Sequence, residues 1–431
     1  MHVFFSGIGG AGIGPLAQIA KQAGMQVSGS DKQDSQYIQY LKDHGINDIH
    51  IGQNREAIAA VNARLPIDWF VYSSAVTLEN FSSPELEFCK EQGIKISKRD
   101  ELVKFILEQK GLEMIAIAGT HGKTTTTAMV TWLFKELSEP VSCLLPAKVS
   151  FSEMGQYDPK SKYFIYEADE FDRNFLAFEP GFSLITGVSW DHHEIFPTRE
   201  DYQEAFGEFI AQSQTTLIWR EDLDYLGLAG ADNIKVLDSA TPAIEELKIM
   251  GHYNRLDAWV ALKATEAITK QPLDRLIEII NRFPGLSRRM EEIVPGLYSD
   301  YAHTPEKIRG AMSQAQEISD LNGKKLIVVY EPLTNRRQHY MLDNYGDCFN
   351  GAAQVYWLPS YLAREDPNQR LIPPEELISH LSNPAIAKPM GRDQQLKETI
   401  EHHLAAGDMV VAMAGGGGDS LDDWVRQEFK V

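Results

Sequence analysis

The segment Ala118-Gly119-Thr120-His121-Gly122-Lys123-Thr124-Thr125 joins a predicted strand, Met114–Ala118, to a predicted helix. A glycine-rich turn in this position exposes backbone N–H groups at a helix N-terminus, where they bind phosphate. Lys123 would reach the β- and γ-phosphates, and the Thr124 hydroxyl would hold Mg²⁺. The strict pattern has glycine where this chain has Ile117. A glycine turn capped by threonines is the alternative, but the order of strand, Gly-Lys-Thr and helix favours a nucleotide site.

Strands and helices alternate on both sides of this segment. Upstream, apolar runs such as His2–Ser6 and Asp68–Tyr72 alternate with helical patterns such as Ile13–Ala23. The alternation breaks near Gly111, before this segment, and again at 282–286, and it resumes after each break. This alternation predicts parallel sheets covered by helices. We therefore predict an α/β protein with a Rossmann-like N-terminal domain, a central sheet of the P-loop ATPase type and a Rossmann-like C-terminal domain. The predicted domains cover residues 1–110, 111–284 and 285–431.

The composition limits the partners and the location of the protein. The 431 residues include 61 acidic and 41 basic side chains, and the net charge of −20 argues against a nucleic-acid partner. Cys89, Cys143 and Cys348 lack the spacing of a disulfide framework or a structural zinc site. The N-terminal residues show neither a signal peptide nor a membrane span. We expect a cytoplasmic protein without membrane insertion, either a monomer or a weak dimer.

Another glycine turn, the first along the chain, follows the first predicted strand. Gly7-Ile8-Gly9-Gly10-Ala11-Gly12 matches GxGxxG, and Asp31 follows Gly12 by 19 residues, as in dinucleotide-binding folds. Alone, this turn would indicate NAD binding and an oxidoreductase. The physical requirement is only that a diphosphate approaches bare backbone at a helix N-terminus, so any nucleotide-linked diphosphate satisfies it. A packing role for the glycines is the remaining alternative.

Acidic and histidine side chains follow two further predicted strands. The run Tyr163–Glu167 continues into Ala168-Asp169-Glu170-Phe171-Asp172, and Asp191-His192-His193-Glu194 follows the next strand. Open α/β sheets bind ligands at the carboxyl ends of their strands. If Tyr163–Glu167 neighbours the strand before the phosphate loop, Glu167 is placed to coordinate nucleotide-bound Mg²⁺ directly or through water. The segment 191–194 offers an imidazole to a second metal ion. A solvated acidic loop and solvated histidines are the alternatives.

Together these motifs resemble the Mur ligases of peptidoglycan synthesis. The resemblance rests on Gly119–Thr125, Glu167–Glu170, Asp191-His192, Arg288-Arg289-Met290-Glu291 and Asp300-Tyr301-Ala302-His303-Thr304-Pro305, in an order and spacing that span nearly the whole chain. The opening glycine turn, with the segments 28–31 and 73–76, is most similar to the members that join L-alanine to UDP-N-acetylmuramate. The first glycine turn would then face a UDP diphosphate instead of NAD.

The resemblance implies an ATP-dependent ligase that joins L-alanine to the carboxylate of UDP-N-acetylmuramate through an acyl phosphate. The UDP-sugar would bind the first domain, ATP and Mg²⁺ the second, and the amino acid the third. The implied catalytic residues are Lys123, Glu167, His192, Arg289 and His303. The implied magnesium ligands are Thr124, Glu167 and His192.

The same resemblance implies the binding residues. Those for ATP are Gly119, Thr120, His121, Gly122, Lys123, Thr124, Thr125, Asn254, Arg289 and Asp300. Those for the UDP-sugar and the acceptor are Gly7, Gly9, Gly10, Gly12, Asp31, Ser73, Ser74, His303, Arg336 and Arg337. Asn254 would contact adenine, Arg289 the γ-phosphate, and Asp300 the ribose or the domain interface. His303 and the loop around Arg336 and Arg337 would face the incoming amino acid.

Some positions depart from the family pattern. The adenine-site motif has Tyr253 and Asp257 where the family usually has histidine and asparagine. The C-terminal Met413-Ala414-Gly415-Gly416-Gly417-Gly418 is nearer to the ligase that recycles a tripeptide onto UDP-N-acetylmuramate, which stays an alternative. Two other classes are an NAD-dependent oxidoreductase and a non-catalytic nucleotide-binding module. The oxidoreductase has no use for Lys123, Glu167 or a third domain, and the module has no use for two metal sites.

Overall fold

The structure, a computed structural model, describes residues 1–72, 83–192, 195–228, 230–362, 365, 368–416 and 419–429. Within these ranges the chain forms three sheets, of five, seven and six strands, covered by helices. Neighbouring strands are parallel except in one edge pair of the second sheet and one edge pair of the third. The predicted three-domain α/β class is therefore confirmed. No helix within the described ranges is long and apolar enough to cross a membrane.

The first sheet has its strands at β1 (His2–Ser6), β2 (Gln26–Asp31), β3 (Ile49–Ile51), β4 (Trp69–Tyr72) and β5 (Lys95–Lys98). Its helices are α1 (Ile13–Gln22), α2 (Gln36–Asp43), α3 (Arg55–Arg64), α4 (Pro84–Gln92) and α5 (Arg99–Lys110). The strand order is β3-β2-β1-β4-β5, so the chain reverses direction across the sheet beside β1, where ligands bind in such folds. β3 and α3 are additional to the predicted elements. The three residues of β3 are too few to show an alternation, and α3 buries only Ile58 and Val61.

The second sheet contains β6 (Glu113–Ala118), β7 (Val141–Leu144), β8 (Gly155–Gln156), β9 (Tyr163–Glu167), β10 (Phe182–Ile185), β11 (Thr215–Trp219) and β12 (Ile234–Leu237). Its helices are α6 (Lys123–Glu136), α7 (Arg199–Gln212), α8 (Arg220–Tyr225), α9 (His252–Thr269) and α10 (Leu273–Ile280). The order β12-β11-β10-β6-β9-β7-β8 puts β6 between β10 and β9. The carboxyl ends of these three parallel strands therefore meet at one edge.

The third sheet contains β13 (Glu291–Val294), β14 (Leu297–Asp300), β15 (Leu326–Glu331), β16 (Gln354–Trp357), β17 (Ala387–Pro389) and β18 (Met409–Ala414). Its helices are α11 (Pro305–Leu321), α12 (Asn335–Met341), α13 (Pro374–Ser379), α14 (Gln394–Ala405) and α15 (Leu421–Phe429). The order is β13-β14-β18-β15-β16-β17, with apolar clusters on both faces. Short 3₁₀ turns cover Phe171–Ala177, Pro242–Ile244, Leu342–Asn344 and Pro384–Ile386.

By compactness the chain forms two units. The first unit comprises Met1–Ile244 and Asp257–Pro284, and so contains the first two sheets. The second comprises Glu245–Leu256 and the chain from Gly285 onward, with the third sheet. Within the first unit one buried apolar cluster includes Leu102 of α5 and Phe164 of β9, so the two predicted N-terminal domains share a core. The individual domain bounds stay a prediction.

Candidate active site

The phosphate loop, Gly119–Thr125, turns through two glycines that no other residue could replace without strain. Gly119 has φ +142° and Gly122 has φ +78°, in the region that side chains disfavour. A β-carbon on Gly122 would overlap Oδ1 of Asp257. Asp257, one of the departures from the family pattern, is thus a direct neighbour of the loop. Because these glycines have no side chains, a phosphate can approach the backbone of the loop closely.

Two side chains of the loop anchor it to the chain beyond β10. The Thr120 hydroxyl donates to the carbonyl of Ser189 at 2.7 Å and lies 2.8 Å from the hydroxyl of Tyr202. The His121 ring packs on Gly187, where a β-carbon would overlap it. Thr120 is buried, and its side-chain contacts hold the loop in shape.

Lys123 and Thr124, which open α6, meet carboxylates at the end of β9. Nζ of Lys123 donates to Oε2 of Glu170 at 2.7 Å, and the Thr124 hydroxyl donates to Oε2 of Glu167 at 2.8 Å. Burial acts to lower the pKa of Lys123, but the carboxylates of Glu170, Asp169 and Glu167 raise it above its ordinary value. The loop therefore carries a fixed positive charge against an acidic edge.

The strand order explains this meeting. β9 pairs directly with β6, and Glu167 lies opposite Ile117 in the register. This confirms the neighbour relation on which the predicted role of Glu167 depends. Thr125 lies one residue further into the first turn of α6 and is half-buried.

His192 follows β10, the other neighbour of β6, with a left-handed backbone at φ +54°. Its Nε2 lies 3.7 Å from Oε1 of Glu170, which is fully buried. Three possible metal-ligand atoms lie within 4.8 Å of one another, one from each of Asp169, Glu170 and His192. Among the described residues, Oε1 of Glu170 and Nδ1 of His192 are buried without a hydrogen-bond partner. Unpartnered buried polar atoms are costly, so this group suits a cation.

Sequence reasoning chose Glu167 from the acidic segment and missed Asp169 and Glu170. The signal was present, because both belong to the same run of carboxylates after a strand. Which of them turns toward Lys123 depends on how the chain bends after β9. That bend is a 3₁₀ turn with left-handed residues at Asp172 and Arg173, which no periodicity predicts.

The first glycine turn, Gly7–Gly12, lies at the carboxyl end of β1. The N–H groups of Gly7 and Ile8 donate to the carbonyl of Ser30 at 2.8 and 3.0 Å. The N–H of Gly9 donates to Oδ2 of Asp31 at 2.8 Å. A carboxylate oxygen thus already accepts a hydrogen bond from one backbone amide of the turn, as expected of backbone that binds anions.

Two residues predicted for this site, Ser73 and Ser74, lie outside the described residues.

Within the glycine turn, Gly10 donates its N–H to the carbonyl of Gly7 at 3.0 Å and so closes the turn.

In the second unit, β18 lies between β14 and β15, so the carboxyl ends of these three strands meet. Asp300 ends β14 and is buried; its Oδ2 accepts from the N–H of Met290 at 2.8 Å and its Oδ1 from the N–H of Ala302 at 2.9 Å. Asp300 therefore ties together the two segments that carry Arg289 and His303.

His303 is buried beside the C-terminal glycine run. Its Nδ1 lies 2.7 Å from the carbonyl oxygen of Tyr301, and a β-carbon on Gly415 would overlap its ring. Burial, followed by the charges of Lys307 and Arg337, lowers the pKa of His303 well below its ordinary value. The imidazole is therefore neutral at physiological pH.

The remaining predicted residues also lie in the second unit. The guanidinium of Arg289 lies 5.4 Å from the ring centre of Tyr301. Arg336 and Arg337, predicted in a loop, lie in the first turn of α12. The side-chain amide of Asn254 donates to the carbonyl of Met250 at 3.0 Å and to Oε1 of Gln314 at 2.9 Å.

The structure therefore assembles two groups of predicted residues. The first unit brings together Lys123, Thr124, Glu167 and His192, and adds Asp169 and Glu170. The second unit brings Arg289, Asp300 and His303 to one strand edge. The roles of the individual residues stay predictions.

Comparison with known proteins gives the family. Three family models match the chain: Mur ligase family, catalytic domain, over residues 2–110; Mur ligase middle domain, over 117–249; and Mur ligase, glutamate ligase domain, over 288–416. A UDP-N-acetylmuramate--L-alanine ligase of Campylobacter jejuni subsp. doylei is 30% identical and covers 85% of this chain and 87% of its own. The ligase of the same name from Renibacterium salmoninarum is 29% identical and covers 96% and 93%.

Solved structures share the fold. UDP-N-acetylmuramate-alanine ligase from Thermotoga maritima has a TM-score of 0.76 at 20% identity, covering 99% of this chain and 98% of its own. A murein peptide ligase from Psychrobacter arcticus has a TM-score of 0.65 at 20% identity, covering 100% of both chains. The fold, the three matching domains and the identity over most of the length lead to one conclusion: this chain belongs to the Mur ligase family.

Proposed function

We propose that the protein is an ATP-dependent ligase that joins L-alanine to the carboxylate of UDP-N-acetylmuramate through an acyl phosphate, in the synthesis of peptidoglycan precursors. The observation that carries this proposal is the meeting of Lys123 with Glu170 at 2.7 Å and of Thr124 with Glu167 at 2.8 Å. Relatives named for this reaction match the chain over most of their length. The nicotinamide alternative leaves this arrangement without a use.

The phosphate loop supplies the site for ATP. Its glycine backbone and the start of α6 receive the phosphates, and Lys123 exchanges Glu170 for phosphate oxygens when the nucleotide binds. Arg289 adds positive charge for the γ-phosphate, Asn254 contacts adenine, and Asp300 serves the ribose or the domain interface. Positioning and charge stabilisation are the main contributions of a protein to phosphoryl transfer.

Magnesium fits the same strand edge. Thr124 and Glu167 would hold the nucleotide-linked ion, and His192 with Asp169 and Glu170 a second one. The fit rests on a compact donor group within 4.8 Å and on the buried, unpartnered Oε1 of Glu170. A bound divalent cation neutralises the repulsion between a carboxylate and a triphosphate.

The third sheet supplies the acceptor site. Arg336 and Arg337 offer donors for the carboxylate of an amino acid. His303, which burial keeps neutral, would face the incoming amino acid.

Phosphate release from ATP tests the proposal. The protein is incubated with ATP, Mg²⁺ and UDP-N-acetylmuramate, and L-alanine, L-serine, glycine and a muropeptide-type tripeptide are compared as acceptors. We expect release that requires both the UDP-sugar and L-alanine, with the amide product detected by mass spectrometry. Release with the tripeptide alone would make the protein a recycling ligase, and no release with any acceptor would overturn the ligase assignment.

A further inference from the structure

Arg99, the first residue of α5, lies against the first glycine turn. A β-carbon on Gly12 would overlap Nη1 of Arg99 and lie 3.6 Å from its Cζ. Outside α1 and the neighbouring residues, Arg99 is the only described residue within 4 Å of that position. Gly12 is the N-cap of α1, and its φ of −98° is open to any residue. The guanidinium therefore lies next to the helix N-terminus, beside the place where the diphosphate is expected.

The other side of Arg99 faces the acidic segment after β9. Nη2 of Arg99 lies 4.0 Å from Oδ2 of Asp169, and Nε lies 3.5 Å from Oδ1 of Asp100. A guanidinium carries five N–H donors, yet within the described part of the chain the Arg99 guanidinium makes only these two longer ion pairs and no side-chain hydrogen bond. Its side chain as a whole is 24% exposed.

Holding the two sheets together does not account for this arrangement. The adjacent Lys98 already pairs closely with Asp172, and an apolar cluster that includes Leu102 and Phe164 joins the same two parts. The ion pairs of Arg99 are longer than hydrogen bonds. An arginine in a purely structural role would be expected to use its donors on these carboxylates.

We propose that Arg99 binds the diphosphate of the UDP-sugar, and that Asp169 and Asp100 orient its guanidinium for that contact. The inference rests on the proposed function, since it takes the first glycine turn as the UDP site. A planar guanidinium pairs with phosphate oxygens through two N–H groups, which a lysine cannot imitate. Because Asp169 also belongs to the candidate metal group, Arg99 links the position of the diphosphate to the phosphoryl-transfer edge.

Calorimetry on the full chain tests this assignment with four ligands: UDP-N-acetylmuramate, UDP, uridine and a non-hydrolysable ATP analogue. For Arg99→Gln we expect the Kd of UDP and of UDP-N-acetylmuramate to rise by the same factor, about 10- to 100-fold. The affinity for uridine should not change, and that for the ATP analogue should change less than that for UDP. Arg99→Lys should recover only part of the loss, because it restores charge without the two-pronged contact.

The control is Arg64→Gln, which removes an exposed arginine from the far end of α3 and should leave every Kd unchanged. An unchanged Kd for UDP in Arg99→Gln would overturn the proposal. So would a loss confined to UDP-N-acetylmuramate, because the guanidinium would then contact the sugar or its carboxylate. Failure of the proposed function is distinguishable, since the unmodified protein would then bind no UDP-N-acetylmuramate.

Gly12→Ala gives an independent route to the same test. Its backbone accommodates alanine, and the added β-carbon displaces Nη1 of Arg99. We expect weaker UDP binding in Gly12→Ala, and a smaller further loss when the substitution is added to Arg99→Gln than it causes alone, since Gly12 is itself a candidate contact of the diphosphate. Full additivity of the two losses would contradict the proposal. Circular dichroism of each variant should match that of the unmodified protein.

Discussion

The chain contains two glycine turns of the same local design that differ in the charges around them. The turns Gly7–Gly12 and Gly119–Thr125 each follow a strand of a parallel sheet and open a helix. The second turn carries its own cation, Lys123, which meets carboxylates from the neighbouring strand. The first turn has no lysine, and the cation that lies against Gly12, Arg99, comes from a helix 87 residues further along the chain.

The difference teaches that glycine spacing determines where a phosphate approaches but not which ligand it belongs to. Bare backbone at a helix N-terminus receives any phosphate. Charges supplied by other parts of the fold select the ligand and the chemistry. For this reason the first turn matches a dinucleotide fingerprint although the chain belongs to a ligase family.

Removing the cation of the second turn should have the largest effect. We expect Lys123→Ala to lower kcat by about 10³-fold or more, since phosphoryl transfer depends on charge stabilisation. The Kd of UDP-N-acetylmuramate should stay within about twofold, because the first turn keeps its own surroundings. Lys135→Ala is the matched control at the other end of α6, where the lysine pairs with Gln156 at 2.6 Å. Equal loss of UDP-sugar binding and turnover in Lys123→Ala would mean that the two turns do not serve separate ligands.

Removing one metal-ligand candidate should have a smaller effect. Glu167→Gln and His192→Ala should each lower kcat by about 10- to 100-fold, and added Mg²⁺ should restore part of it because water refills the coordination shell. Glu136→Gln, which breaks an ion pair of 3.4 Å with Arg282 at the far end of α6, is the control. Unaltered rates for either variant at low Mg²⁺ would remove that residue from the metal site.

Adding a methyl group to each turn compares their backbones directly. Gly122→Ala forces a side chain to φ +78° and against Asp257, so we expect a loss of about 2 kcal/mol and a lower unfolding midpoint. Gly9→Ala brings a β-carbon only to 3.0 Å from Oδ2 of Asp31, without a positive φ, and should cost less. Thermal unfolding of both variants measures the difference. A greater loss for Gly9→Ala would reverse the comparison.

The smallest effect is expected at Glu85, beside the first turn. Burial raises the pKa of Glu85 above its ordinary 4.5, and no described cation pairs with it. The folded chain therefore holds this proton more tightly than the unfolded chain, and the stability from Glu85 is lost as the pH rises through its folded pKa. As the pH rises above about 4.5, the free energy of unfolding of the unmodified protein should fall relative to that of Glu85→Gln, because glutamine does not titrate.

Glu91→Gln on the same helix α4 provides a contrast of opposite sign. The hydrogen bond from Arg55 lowers the pKa of Glu91, so its stabilisation is present above the ordinary pKa and is lost in acid. Denaturant unfolding at several pH values measures both slopes. If the free energy of unfolding changes with pH equally in Glu85→Gln and in the unmodified protein, Glu85 has the same pKa in the folded and the unfolded chain.

The amino-acid sequence by itself determined the class of fold and the local shape of both turns. Strand and helix periodicities are local, and glycines at fixed spacing after a strand specify a phosphate-binding turn within a few residues. The place of Glu167 at a sheet edge was predictable because it ends a strand, and the carboxyl ends of strands in such sheets share one edge. His192 was singled out within its segment only through the family resemblance. β3 and α3 were not predicted, since three strand residues carry too little pattern and α3 buries only two apolar side chains.

Only the tertiary structure decided which charges meet. The pairing of Lys123 with Glu170, the place of Asp257 beside Gly122 and the approach of Arg99 to Gly12 join residues 47 to 135 positions apart. Such contacts follow from the order of strands in the sheets and from the packing of two sheets into one unit. No local propensity encodes that order, because it is the burial of apolar faces over the whole unit that selects it.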